Sequence, residues 1–152
     1  MSVIALGIVV KPSAPPSAEC VILSGSVEDP RLIESFALKS NQDSTVNQID
    51  LLGKSLSSKL SGTSVDIVVI RVADFARVAT RRNASSIRLL VEGALAFVAR
   101  SRVTSVHIRG GKEVGESLSL SKDEADERGR AIASSRKEAA AAALSGLATE
   151  HT

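Results

Sequence analysis

The stretch Ile67-Val68-Val69-Ile70-Arg71-Val72, IVVIRV, decides the fold. Four apolar residues in succession read as a strand buried on both faces, the pattern of a central strand in an α/β sheet. Arg71 stands where that strand should end. The carboxyl ends of central strands are where α/β proteins place ligands and metals. A permanently charged guanidinium there demands an explanation.

Working outward, VIALGIVV (3–10) is a second near-continuous apolar run and reads as another central strand. KPSAPPSA is a turn whose prolines cannot join a ladder. ECVILSGSV and RLIESFAL (31–38) complete an antiparallel meander, joined by EDP. Between this meander and IVVIRV, residues Val46, Ile49, Leu52 (or Gly53), Leu56 and Leu60 recur at three- and four-residue steps, which predicts an amphipathic helix. Ser44 suits its N-cap and Gly62 its end. Beyond the loop ADFARVATRRN, a second helix is expected from Asn83 or Ser85, with Ile87, Leu90, Val91, Ala94, Leu95 and Val98 as its apolar positions. TSVHIR (104–109) is the fifth strand, and GGKEVGESLSLS is read as a loop. SKDEADERGRAIASSRKEAAAAALSGLA is helical, in two pieces around Gly129, the first charged and exposed, the second packed on a sheet. The order β-β-β-α-β-α-β-α predicts an α/β fold with a mixed five-stranded sheet and helices on both faces. One domain over 1–148 is expected, with 149–152 a frayed tail.

Composition narrows the function. The chain has 152 residues, 43% hydrophobic and 24% charged, with three Phe and no Tyr or Trp, so its core is built from Val, Ile, Leu and Ala. Its net charge of +2 is compatible with an acidic partner without demanding one. Cys20 is the single cysteine, which excludes an internal disulfide and a thiolate metal cluster. Lying in a strand, it reads as a buried thiol. No apolar run approaches the about 20 residues that span a bilayer. MSVIALGIVVKP lacks a basic n-region and a cleavage site, so a cytoplasmic protein without membrane contact is expected. His107 reads as a half-buried structural histidine and His151 as part of the tail. GGKEVGE lacks the spacing of a phosphate loop. No cofactor is expected.

RNASSIRLLVEGALAFVARS resembles the segment of RuvC-type Holliday-junction resolvases that runs basic-Asn-Ala-x-Ser-Ala, Leu, and then a small-residue helix. Asn83, Ala84, Ser86, Leu90, Gly93, Ala94 and Ala96 stand in comparable places. IALGIVV resembles that family's opening strand, and RKEAAAAALSG its last helix. The resemblance implies the ribonuclease H-like fold, in which carboxylates hold two divalent metals that stabilise the attacking and leaving oxygens of a phosphodiester. Carried over position by position, those carboxylates fall on Val9, Arg71, Glu138 and Ala141. Only Glu138 is acidic. Val9 and Arg71 cannot ligate Mg²⁺, which wants oxygen donors. The resemblance therefore implies a vacated metal site and a catalytically degenerate member: a structural or interaction module in which Arg71 replaces the metal charge and pairs with Glu138.

Other readings stay open. Arg71 can be a strand-end arginine paired with Asp66 or Asp74. An active metal-dependent nuclease can be built if Asp66, Asp74, Glu92 or Glu138 supply relocated carboxylates. Arg77, Arg81, Arg82 and Arg88 cluster in and after one loop, with Arg100, Arg102 and Arg109 further on; the corresponding region of the resolvases faces DNA. Arginines on phosphates would give salt-dependent, sequence-tolerant contact with DNA or RNA. The lack of Tyr and Trp argues against stacking on single strands. The resemblance also implies a homodimer or larger assembly, since IRLLVEGALAFVA is apolar around more than one face.

Overall fold

The computed structural model describes residues 2–73 and 82–149, and the side chains of all of these except 82–85. Strands β1 (Val3–Lys11), β2 (Ser17–Gly25) and β3 (Pro30–Lys39) form the antiparallel meander. Helix α1 (Thr45–Gly62) leads to β4 (Ile67–Arg71), helix α2 (Arg82–Arg102) to β5 (Ser105–Arg109). Then come α3 (Gly111–Ser117), α4 (Lys122–Ile132), a 3₁₀ turn at Ser134–Arg136 and α5 (Lys137–Leu147). The sheet order is β3-β2-β1-β4-β5, with β4 parallel to both β1 and β5. This is the expected mixed sheet.

Alternation along β1 divides the core. Leu6, Ile8 and Val10 pack with Leu52, Leu56 and Leu60 of α1 and Val91, Leu95 and Ala99 of α2. Val9 and Ala5 point the other way, onto the alanines of α5. Both faces are covered, so the strand has no polar position until Lys11. Each fully buried Leu or Ile contributes about 1.5–3 kcal/mol. Ser44 caps α1 by accepting from the Asn47 N–H at 3.2 Å, as expected. Val46, counted in the apolar stripe of α1, is instead exposed.

Gly7 explains how α5 lies so close to the sheet. A Cβ there would overlap the Ala139 carbonyl and sit 2.5 Å from the Ala143 nitrogen. The alanine run of α5 and the missing side chain on β1 are two halves of one close contact.

The C-terminal third departs from expectation in three ways. Residues 111–117 are a helix rather than a loop, with Glu113 Oε1 reaching back to accept from the Gly110 N–H at 3.1 Å. The break in the last helical stretch comes at Ala133–Arg136, not at Gly129. Gly129 lies within α4 because a side chain there would strike the Lys137 carbonyl of α5; it is a packing glycine, not a breaker. And α4 is not all exposed: Ala125, Asp126 and Gly129 are buried. Helix α2 begins at Arg82, slightly earlier than expected. The first residue of the supposed tail is tied down, since Thr149 Oγ1 accepts from Arg109 Nη2 at 2.8 Å and donates to the Ser145 carbonyl at 2.9 Å.

Candidate functional site: an arginine at the strand ends

Val9 and Arg71 are direct neighbours across the parallel β1–β4 ladder, at the carboxyl ends of both strands and on the face covered by α5. Arg71 is only 2% exposed. Its Nη1 donates to Asp126 Oδ1 at 2.5 Å and its Nη2 to Asp126 Oδ2 at 3.3 Å. This is the two-pronged match of guanidinium and carboxylate planes. Glu138 Oε2 lies 3.5 Å from Nη2, and its Oε1 accepts from Lys11 Nζ at 3.4 Å. The residues form one chain of alternating charge, Asp126–Arg71–Glu138–Lys11.

Three elements converge to build it. The capping box at Ser121, where Oγ accepts from the Glu124 N–H at 3.1 Å and Glu124 accepts from the Ser121 N–H at 3.0 Å, fixes the start of α4 and so the heading of Asp126. Those bonds hold the Glu124 carboxyl below its ordinary range. Glu138 sits in the first turn of α5, where a carboxylate favours the helix dipole. Gly111 opens α3 against the guanidinium: a Cβ would lie 2.7 Å from Arg71 Nη2.

Of the residues that the resemblance assigns to a metal site, Val9 and Arg71 are ladder neighbours and Glu138 lies beside the Arg71 guanidinium. Ala141 is buried with Val114 and Ala125. The sequence reading pairs Arg71 with Glu138, or else with Asp66 or Asp74; its principal partner is instead Asp126, set in what reads as an exposed charged helix. A signal exists in the sequence: the SKDE capping box and the small residues Ala125 and Gly129, one turn apart, mark the buried stripe that Asp126 adjoins.

The arrangement does not fit a pair of divalent cations. Val9 and Ala141 offer no donor, Arg71 is itself a cation, and the two carboxylates present are already engaged by it. Among the described residues, no three His, Cys, Asp or Glu side chains gather as a metal set. Of the other carboxylates a relocated site would use, Asp66 and Glu92 do not join Arg71. Asp66 precedes β4 and accepts from the Ile4 N–H at 2.9 Å, at the other end of the strand. Glu92 belongs to α2, bonded to Arg88 Nε at 2.9 Å; burial pushes its carboxyl up, opposed by Arg88. Its Oε1 is buried without a partner among the described residues. Asp74 lies outside the described residues.

Arg77 and Arg81 also lie outside them, as does the side chain of Arg82. Arg88 is committed to Glu92. Arg109, beside Arg71 in the β4–β5 register, turns away to the end of α5, donating to the Ser145 carbonyl at 3.1 Å and its Oγ at 3.0 Å. Burial lowers its pKa, with Glu113 opposing. His107 is half-buried beside Ser105, its pKa lowered by burial and then by Arg109. Cys20 is a buried thiol whose pKa burial raises strongly. His151 is outside the described residues. No described helix is long and apolar enough to cross a membrane.

Thermus thermophilus RuvC in complex with Holliday junction substrate superimposes on this chain with a TM-score of 0.70, over 94% of this chain and 92% of that chain. The chain has the RuvC-type ribonuclease H-like fold. A further Thermus thermophilus RuvC structure matches with a TM-score of 0.67 over 93% of this chain and 92% of that one. Identities are 18% and 17%, so the likeness is one of fold. No protein-family model and no curated protein matches the chain.

Proposed function

We propose that this chain is a non-catalytic RuvC-like module that works by interaction rather than by cleavage. The observation that carries the reading is Arg71, buried at the end of β4 and held by Asp126 and Glu138. A guanidinium supplies a fixed positive charge to the carboxylates there, and a second cation brought beside it would meet Coulomb repulsion in a poorly solvated setting.

The partner we infer is nucleic acid. The similar Thermus thermophilus protein is bound to a Holliday junction, which supports that choice. Arg77, Arg81 and Arg82 are the inferred phosphate contacts, while Arg88 serves Glu92 and is a weaker candidate. We also infer a second copy of the chain as partner through α2, whose Leu89, Leu90 and Phe97 stand 66%, 54% and 79% exposed.

Incubation of the full chain with labelled four-way and linear DNA in Mg²⁺ or Mn²⁺ tests the reading. Binding without product is expected. Product that disappears in the Glu92→Gln or Glu138→Gln variant would establish instead an active nuclease with relocated carboxylates.

A further inference from the structure

We propose that the cleft beside the Arg71 cluster is a phosphoryl-binding pocket that works without a metal. The inference rests on the metal-free reading above and adds the ligand chemistry of the site. The cleft is about 460 Å³, opens between the end of β1 and the α4–α5 junction, and includes Val9 in its wall. That volume is in the range of small-ligand sites.

Its charge is lopsided. Lys11, Arg130, Arg136 and Lys137 line it, against Glu19 and Glu138. Most of the chain's other charges balance, since the net is only +2. The four cations are not equally occupied. Arg136 is fixed, with Nε on Glu19 and Nη1 donating to Ser35 Oγ at 3.0 Å. Lys11 shares Glu138 with Arg71, at 3.4 Å. Among the described residues Arg130 pairs with Glu127, outside the cleft, in an exposed pair at 3.4 Å that carries little energy. Lys137 has no carboxylate partner among the described residues.

Donors other than charges face the same space. Ser134 and Ser135 are exposed in the cleft wall. Helix α5 starts there with no side chain capping it. A fixed guanidinium, the Lys137 ammonium, the weakly paired Arg130 guanidinium, hydroxyls and a helix start together suit a tetrahedral oxyanion. The lining has no aromatic ring, so a base would find no stacking surface, and recognition would stop at the phosphoryl group. An acidic peptide would carry planar carboxylates at irregular spacing and is the less suitable ligand for a single compact cluster.

The test is binding to the full chain with EDTA present, with inorganic phosphate, a mononucleotide and a short duplex as probes and poly-glutamate as the competing class. Phosphate and mononucleotide are expected to bind, with the duplex tighter if the source is a nucleic-acid backbone. Lys137→Glu and Arg130→Glu should each weaken binding about tenfold at unchanged melting temperature, while Lys112→Glu, at an exposed position of α3 that does not line the cleft, should not. Binding unaffected by both cleft variants, equal binding of poly-glutamate, or no binding of phosphate and mononucleotide while the duplex still binds would overturn the pocket and leave the non-catalytic, nucleic-acid-binding reading intact. Binding that requires Mg²⁺ or Mn²⁺ would overturn both.

Discussion

Arg71 and Asp126 are joined by two parallel hydrogen bonds, at 2.5 and 3.3 Å, with side chains only 3% and 11% exposed. They are 55 residues apart in sequence. The pair fastens α4 to the end of the central sheet, and each charge is buried only because the other is there.

Removing one partner should therefore cost more than removing both. Arg71→Ala is expected to destabilise the fold by about 3–5 kcal/mol, because Asp126 is left buried and unpaired. Combining Arg71→Met with Asp126→Leu should cost less than the sum of the separate changes. Glu138→Ala should cost less than Arg71→Ala, since Glu138 is 35% exposed and 3.5 Å from the guanidinium. Urea unfolding of the three single variants Arg71→Met, Asp126→Leu and Glu138→Ala, the double variant and Arg71→Ala measures this; strictly additive losses in the double variant would disprove the coupling.

Gly111 gives an independent probe of the same cluster. A methyl group there would press on Arg71 Nη2 at 2.7 Å and Lys122 Cε at 2.8 Å. Lys122 is flexible, but the guanidinium is held from two sides. Gly111→Ala should lower stability by about 1–3 kcal/mol, although alanine is the better helix former. An unchanged or raised unfolding midpoint would show that Arg71 is less tightly placed than described.

The strands and the site were unequally legible in the sequence. Runs such as VIALGIVV and IVVIRV read as strands because they are short, rich in β-branched residues and bounded by turn signals, unlike the equally apolar alanine run of α5. Val9, Arg71 and Glu138 are brought together by the resemblance to the resolvases, which assigns them positions at strand and helix ends. Asp126 is not, because a carboxylate flanked by Asp123, Glu124, Glu127 and Arg128 looks like part of a solvated face until a buried cation is placed against it. Gly129 misled for a related reason: the sequence shows a missing side chain but not the neighbouring helix whose backbone requires it.

Glu92 sets a pH dependence. Burial raises its carboxyl pKa above the unfolded value, so the folded state holds the proton longer than the unfolded chain. Stability from this group is fully present below the ordinary glutamate pKa and is lost as pH rises through the raised one. Glu92→Gln should flatten that decline in the window just above the ordinary glutamate range. Unfolding midpoints across mildly acidic to neutral pH test it, and parallel curves for the two proteins would refute it.

The exposed α2 residues predict association. Phe97→Lys with Leu89→Glu should give a monomer, with the wild type a dimer in light scattering at micromolar concentration. Large apolar groups left this exposed mark contact surfaces. A wild-type monomer at that concentration would remove the dimer from the account.

Thermal unfolding in Mn²⁺ tests the central claim most directly. A ligand that binds the folded state must raise its melting temperature by mass action. With Arg71 already between Asp126 and Glu138, millimolar Mn²⁺ is predicted to leave the melting temperature unchanged, and Glu138→Gln should respond to the metal no differently from wild type. A clear rise with Mn²⁺ that Glu138→Gln or Asp126→Asn abolishes would contradict the claim that the guanidinium has taken the metal's place.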